Sequence, residues 1–171
     1  SDGRPQFVGR AIPALRQVTV RESSARSMYR GMTAQAQYRV SRFQFAAFYT
    51  YSDTFSDDDS ERDAGGFTYD NPYRLDLDYG RSFLDIRHQF TSNAVVRIPY
   101  GFEVSGIFRA RSGVPINPRT GTDSNADLSN SDRAYQAVGV PFARNAFRNR
   151  SIVNSNDLRI LKSFTFADRY R

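Results

Sequence analysis

Met32-Thr33-Ala34-Gln35-Ala36-Gln37-Tyr38-Arg39-Val40-Ser41 sets an apolar or aromatic residue at every even position and a polar one at every odd position. A period of two sends successive side chains to opposite faces of a strand, so this stretch reads as a strand with one greasy face and one wet face. A few residues later the apolar set moves to Phe43, Phe45, Ala47, Tyr49 and Tyr51. Between His88 and Ile98 the positions Phe90, Ala94, Val96 and Ile98 oppose Gln89, Thr91, Asn93 and Arg97. After Pro99-Tyr100-Gly101, the residues Phe102, Val104, Gly106, Phe108 and Ala110 oppose Glu103, Ser105, Arg109 and Arg111. A last stretch sets Leu158, Ile160, Phe164 and Phe166 against Asp157, Arg159, Ser163 and Thr165, with Lys162 and Leu161 breaking the pattern. A weaker strand is expected near Arg16 to Glu22.

The connections discriminate between folds. The breaks near Val40 to Arg42 and Ile98 to Gly101 are tight, whereas Ser52 to Ser82 and Ser112 to Asn156 are long and rich in Gly, Asn, Asp and Pro. Unstructured loops of that length are uncommon in compact domains. A transmembrane barrel alternates short turns at one rim with long loops at the other, and its strands need only about 9 to 11 residues to cross. The apolar fraction of 39% and charged fraction of 25% suit such a wall, because the charge lies along the strands as well as in the loops. No run of about 18 apolar residues is present, so a spanning helix is excluded and a barrel is not. The expected fold is all-β: an antiparallel up-and-down meander of about six or seven strands, a partial segment of a large barrel with its long loops on one rim.

In this arrangement Phe90, Val96, Phe102 and Phe108 face lipid, while Arg39, Arg97, Arg109 and Arg159 face the lumen. Aromatic rings favour the headgroup level. Tyr29, Tyr49 and Tyr51 are expected at the long-loop rim, and Phe43, Tyr100 and Phe102 at the short-turn rim.

The chain has no cysteine, which removes disulfides, thiolate metal sites and cysteine nucleophiles, and its single histidine, His88, has no histidine partners for zinc. Catalysis is not expected: His88 beside Arg87 and near Asp85 lacks a recognisable nucleophile and oxyanion donor. Asp85 and Arg87 read instead as a pair holding the strand entry. The formal charge of +6 invites a nucleic-acid reading, yet the arginines are dispersed singly rather than clustered, so nucleic acid is not an expected partner. Gly121-Thr122-Asp123-Ser124-Asn125-Ala126-Asp127 places Asp123, Asn125 and Asp127 at the alternate positions of a calcium loop, with Asp132 as an extra ligand. Leu128 stands where that loop needs its glycine and Ala134 where it needs its closing glutamate, so a solvated turn competes with calcium. The cluster Asp53, Asp57, Asp58, Asp59, Glu61 and Asp63 is a second cation candidate, against which stands a mobile, self-repelling loop. Asn71-Pro72, Val114-Pro115 and Asn117-Pro118 fix extended backbone and argue for shaped loops.

Several strings in order resemble the C-terminal part of the barrel of TonB-dependent receptors, in the Oar-like group that carries a carboxypeptidase-regulatory-like domain. They are Ser27-Met28-Tyr29-Arg30-Gly31-Met32 with Gln37-Tyr38-Arg39, Tyr49-Thr50-Tyr51-Ser52, Tyr79-Gly80-Arg81-Ser82 with Leu84-Asp85-Ile86-Arg87-His88-Gln89-Phe90, Ile98-Pro99-Tyr100-Gly101, Ser112-Gly113-Val114-Pro115 and Asp157-Leu158-Arg159. The resemblance implies one barrel domain over 1–171, with the plug and the final strands lying outside it. It also implies uptake of a bulky nutrient through the outer membrane of a bacterial cell. The implied partners are outer-membrane lipid, the remainder of the barrel, the plug and, through the plug, the TonB system. A rival expectation is a structural protein that pairs with copies of itself, or with another chain, through open strand edges.

Overall fold

Wherever the alternation is strict the chain is extended and paired. The computed structural model describes residues 2–9, 12–15, 23–59, 69, 71, 73–130 and 132–164. The strand expected near Arg16 to Glu22, the acidic residues Glu61 and Asp63, Pro72, and Thr165 with Phe166 lie outside these residues.

The strands in chain order are β1 (Ser27–Val40), β2 (Phe43–Ser56), β3 (Gly80–Arg81), β4 (His88–Ile98), β5 (Phe102–Ser112), β6 (Pro115–Ile116), β7 (Tyr135–Ala137), β8 (Val140–Pro141), β9 (Phe147–Arg148) and β10 (Ile152–Lys162). The long ones lie side by side in the order β1-β2-β4-β5-β10, and β3 adds a short pairing to β2. The pairings of β2 with β4, β4 with β5 and β5 with β10 are all antiparallel. This is an open all-β meander. The only helical pieces among the described residues are 3-10 turns at Leu75–Asp78 and Pro99–Gly101.

The strands β4, β5 and β10 have 11 residues each, and β1 and β2 have 14. All are long enough to cross a hydrocarbon layer at a tilt. The last strand departs from expectation: it runs Ile152–Lys162, beginning five residues before Asp157, and Phe164 lies beyond it. Its start is set by pairing with β5, because Ile152 through Asn156 stand opposite Ser112 through Phe108. The polar Asn154 and Asn156 fall on the apolar face there and hide the period of two.

Contacts divide the chain into two units. The sheet unit comprises Gly31–Ser52, Ile86–Gly113 and Arg150–Arg171; the loop unit comprises Ser1–Arg30, Asp53–Asp85 and Val114–Asn149. Neither has an apolar core: among the described residues no aliphatic or aromatic side chain is buried, and the buried side chains other than Pro115 are polar or charged. A water-soluble domain of this composition would hide its Phe, Leu and Ile, since each buried apolar side chain contributes about 1.5–3 kcal/mol. Here Leu158 and Ile160 are 74% and 67% exposed on the face that continues through Val96, Phe102 and Phe108. A contiguous apolar surface of this kind requires a non-aqueous neighbour.

The β4–β5 turn shows how the short rim is locked. Pro99 fixes the entry, and Tyr100 and Gly101 then take φ values of 68° and 80°, the left-handed region. The Gly101 carbonyl accepts the Ser163 N–H at 2.8 Å, and a Cβ at Gly101 would lie 2.7 Å from the Ser163 oxygen. Gly101→Val is therefore expected to cost about 1–3 kcal/mol, from the φ strain and the loss of the Ser163 contact together, read as a lower urea midpoint of the refolded protein.

Candidate functional site

The register assigns the residues of β2, β4, β5 and β10 to faces. Across β2, β4, β5 and β10, Phe43 opposes Val96, Val96 opposes Val104, and Val104 opposes Ile160; Tyr49 opposes Phe90, and Phe90 opposes Ala110. Phe102 stands opposite Ile98, and Phe108 opposite Ser92 and Asn156. The four residues expected to face lipid, Phe90, Val96, Phe102 and Phe108, thus share one face, with the Phe90 and Phe108 rings 6.0 Å apart. The rims of that face are amphipathic. At one end His88 Nδ1 meets the Tyr49 hydroxyl at 2.7 Å and the His88 ring lies 5.3 Å from that of Tyr51. At the other end Lys162 Nζ lies 4.2 Å from the Phe102 ring centre and donates to the Tyr100 carbonyl. A cation held at the rim above aromatic rings suits the boundary between hydrocarbon and headgroups. Tyr29 departs from the expected girdle. By the alternation of β1 it shares parity with Thr33, whose hydroxyl meets that of Thr50 at 2.9 Å on the polar face.

The opposite face is polar. Arg97 pairs with Glu103, directly across from it, at 3.2 Å. Arg109 reaches diagonally to Asp157 at 2.9 Å. Arg159 stands opposite Ser105, and Arg39 shares the parity of Thr33. All four arginines expected toward the lumen therefore lie on the polar side. Arg111 joins them, two residues from Arg109 and opposite Gln89 and Val153. The same alternation locates it.

The loop unit is built on arginine–carboxylate contacts between residues remote in sequence. Asp85, with its side chain fully buried, accepts the Thr54 N–H at 2.8 Å and Arg81 Nη1 at 3.2 Å, and it is gripped by Arg148. Arg133 pairs with Asp78 and donates to the Leu77 carbonyl at 2.6 Å. Arg144 pairs with Asp59 and donates to the carbonyls of Ser56 and Asp78 at 2.7 and 3.2 Å. Arg4 meets Asp132 at 3.2 Å, and its hydrogen bond to Asp2 holds the Asp2 carboxyl below its ordinary value. That contact is complete at neutral pH and is released only as acid carries the pH down through the lowered value. Gly80 packs so closely that a Cβ would lie 2.8 Å from the Arg144 Cβ.

These contacts revise the picture of the acidic loop. Asp53 pairs with Arg81, Asp57 with Arg26 and Asp59 with Arg144, so arginines relieve the mutual repulsion of the carboxylates. Asp85 is likewise taken up by Arg81 and Arg148, while the Arg87 guanidinium lies 5.9 Å from the Tyr51 ring centre. Sequence reading missed Arg133, Arg144 and Arg148. They are isolated basic residues in a polar loop, with nothing local to mark them.

In the calcium candidate, the Asp123 carboxylate accepts the N–H groups of Asp127 and Leu128 at 3.1 and 3.0 Å. Asn125 accepts the Asp127 N–H, Asp127 accepts that of Ser129, and Asp132 accepts those of Ser124 and Asn125. Among the described residues no three His, Cys, Asp or Glu side chains gather as a metal set. A calcium ion here would have to displace hydrogen bonds that already shape the turn. A chelator is accordingly expected to leave proteolysis of this loop unchanged; faster cleavage on chelation would assign the ion.

Among the described residues no helix is long and apolar enough to cross a membrane, which bears on helices alone. No curated protein and no solved structure matches the chain. A family model described as an outer membrane beta barrel domain matches residues 3–169. Strands of spanning length, one face apolar and unburied, the other carrying paired arginines, and that match lead to one conclusion: the chain belongs to the outer membrane beta barrel domain family, and its surroundings are the lipid of a bacterial outer membrane.

Proposed function

We propose that the chain forms part of the wall and long loops of a TonB-dependent receptor of the Oar-like group, which draws a bulky nutrient inward with energy passed through a plug. The observation that carries this reading is the behaviour of its most recognisable string, Tyr79-Gly80-Arg81-Ser82 with Leu84-Asp85-Ile86-Arg87-His88. Gly80 closes against Arg144, Arg81 and Asp85 tie β2 to the loops, and His88 opens β4 among Tyr49 and Tyr51. These are the residues that the resemblance singles out, and each has a defined task in organising strand and loop. The ion-paired loop unit supports the reading further, since an entrance that recognises a solute needs loops of fixed shape. No catalytic step and no cofactor enter the proposal.

Among the described residues the edges β1 and β10 each pair on one side only, and in this reading neighbouring strands of the same barrel take the other sides. The same edges are the specific support for the rival, assembly of the chain with its own copies. Uptake separates the two. Cells are expected to lose entry of the solute both when this protein is deleted and when TonB is deleted. Uptake that continues without TonB would contradict the receptor reading, and light scattering that shows edge-joined assemblies of the purified protein would favour the rival.

A further inference from the structure

We propose that the polar face of the sheet carries an oxyanion site centred on Arg111, taking a carboxylate or phosphate group of the solute. The inference rests on the reading of this face as the lumen of a receptor, and it adds the chemistry of what passes.

Two adjacent rows define the site. Gln89, Arg111 and Val153 stand opposite one another across β4, β5 and β10, and Thr91, Arg109 and Ser155 form the next row. Both rows, with Phe90, Ala110 and Asn154 between them in sequence, line a cavity of about 280 Å³. Two guanidinium groups thus project from positions two apart on one face, while one carboxylate lies within reach. That carboxylate, Asp157, is already held by Arg109 at 2.9 Å. Among the described residues no ion pair or side-chain hydrogen bond engages Arg111, Gln89, Thr91 or Ser155. One uncompensated positive charge therefore remains.

The donor geometry fits an oxyanion. The Arg111 fork presents parallel N–H groups to a planar carboxylate or to two phosphate oxygens. The Gln89 amide opposite it and the Thr91 and Ser155 hydroxyls in the adjoining row can each donate to a remaining oxygen. Arg109 adds positive potential without surrendering Asp157. Arg97 lies directly opposite its glutamate, and Arg159 stands opposite Ser105 without flanking donors of this kind, so what sets the Arg111 row apart is an arginine beside Gln89, Thr91 and Ser155.

Calorimetric titration of inorganic phosphate, and separately of succinate, into the detergent-purified full-length protein at low ionic strength tests this. Saturable binding of either ligand is expected, weakened by about 10-fold or more in Arg111→Gln and partly recovered in Arg111→Lys, which keeps the charge and loses the fork. Arg42→Gln, a charge change at the tight β1–β2 turn, is expected to bind like the parent. The double variant Gln89→Ala with Thr91→Val is expected to weaken binding without touching an arginine, and it serves if Arg111→Gln does not fold. Absence of saturable binding by the parent overturns the site, as does an equal loss in Arg42→Gln, which would reveal only a diffuse field. Uptake measured on the same proteins keeps the two ideas apart. Entry that is independent of TonB sinks the receptor reading and leaves binding in place, whereas TonB-dependent entry without phosphate or succinate binding sinks the site alone.

Discussion

Phe108→Arg is expected to cost about 2–4 kcal/mol of the free energy of insertion into lipid vesicles, while the same replacement at its neighbour, Ile107→Arg, costs about 1 kcal/mol or less. Phe108 lies in the middle of β5, opposite Ser92 on one side and Asn156 on the other, with its ring against Phe90. A guanidinium at that point would enter the hydrocarbon layer with no partner. Ile107 is one residue away and faces the polar side, opposite Asn93 and Asp157. A new arginine there gains a carboxylate and water. Urea titration of both variants refolded into vesicles gives the comparison. Similar losses at the two positions would mean that the faces are not chemically distinct surroundings.

Asp85→Ala should open the loop unit while leaving the sheet folded. The side chain is fully buried and holds Arg148, Arg81 and the Thr54 N–H. Its removal takes the carboxylate from Arg148, which is 22% exposed at the side chain and also donates to the Asp85 carbonyl at 3.0 Å, and leaves the Thr54 N–H without its acceptor. Breaking one side of a buried pair costs about 3–5 kcal/mol, well above the median exposed ion pair at about 0–1 kcal/mol. Hydrogen exchange should accelerate in 53–59, 79–85 and 144–149 and remain slow in β4 and β5. Trypsin should gain access to Arg81 and Arg148. Retained protection in those segments would show that the unit is held by something other than its arginine–carboxylate contacts.

The two units were unequally legible. The sheet could be read because alternation is a local property: Phe102 through Arg111 declare their faces without reference to any other strand, and the tight turns at Ser41-Arg42 and Pro99-Tyr100-Gly101 fix which strands are neighbours. The reading slipped at β10, where Asn154 and Asn156 sit on the apolar face and only pairing to Ala110 and Phe108 declares a strand. Tyr29 slipped for a related reason, because an aromatic ring near a strand end looks like a girdle residue whichever face it occupies. The loops were legible as shaped, through their prolines, but not in how they are shaped. Arg148 reaches Asp85 across 63 residues and Arg144 reaches Asp59 across 85, separations at which no sequence period operates. Asp85 beside Arg87 suggested a local pair, and the acidic run from Asp53 to Asp59 suggested a cation. Asp85 instead meets Arg81, four residues away, and Arg148, 63 residues away, while the acidic run meets arginines from other segments.

The central claim, that the apolar side of the sheet meets acyl chains and the arginine side meets water, is open to a direct measurement because the chain contains no cysteine. Single cysteines at successive positions from Phe102 to Ser112, spin-labelled in the protein refolded into vesicles, report collision with dissolved oxygen against a polar nickel reagent. Oxygen contact should peak at 102, 104, 106, 108 and 110, and nickel contact at 103, 105, 107, 109 and 111. A flat profile, or one with the two sets exchanged, would contradict the account.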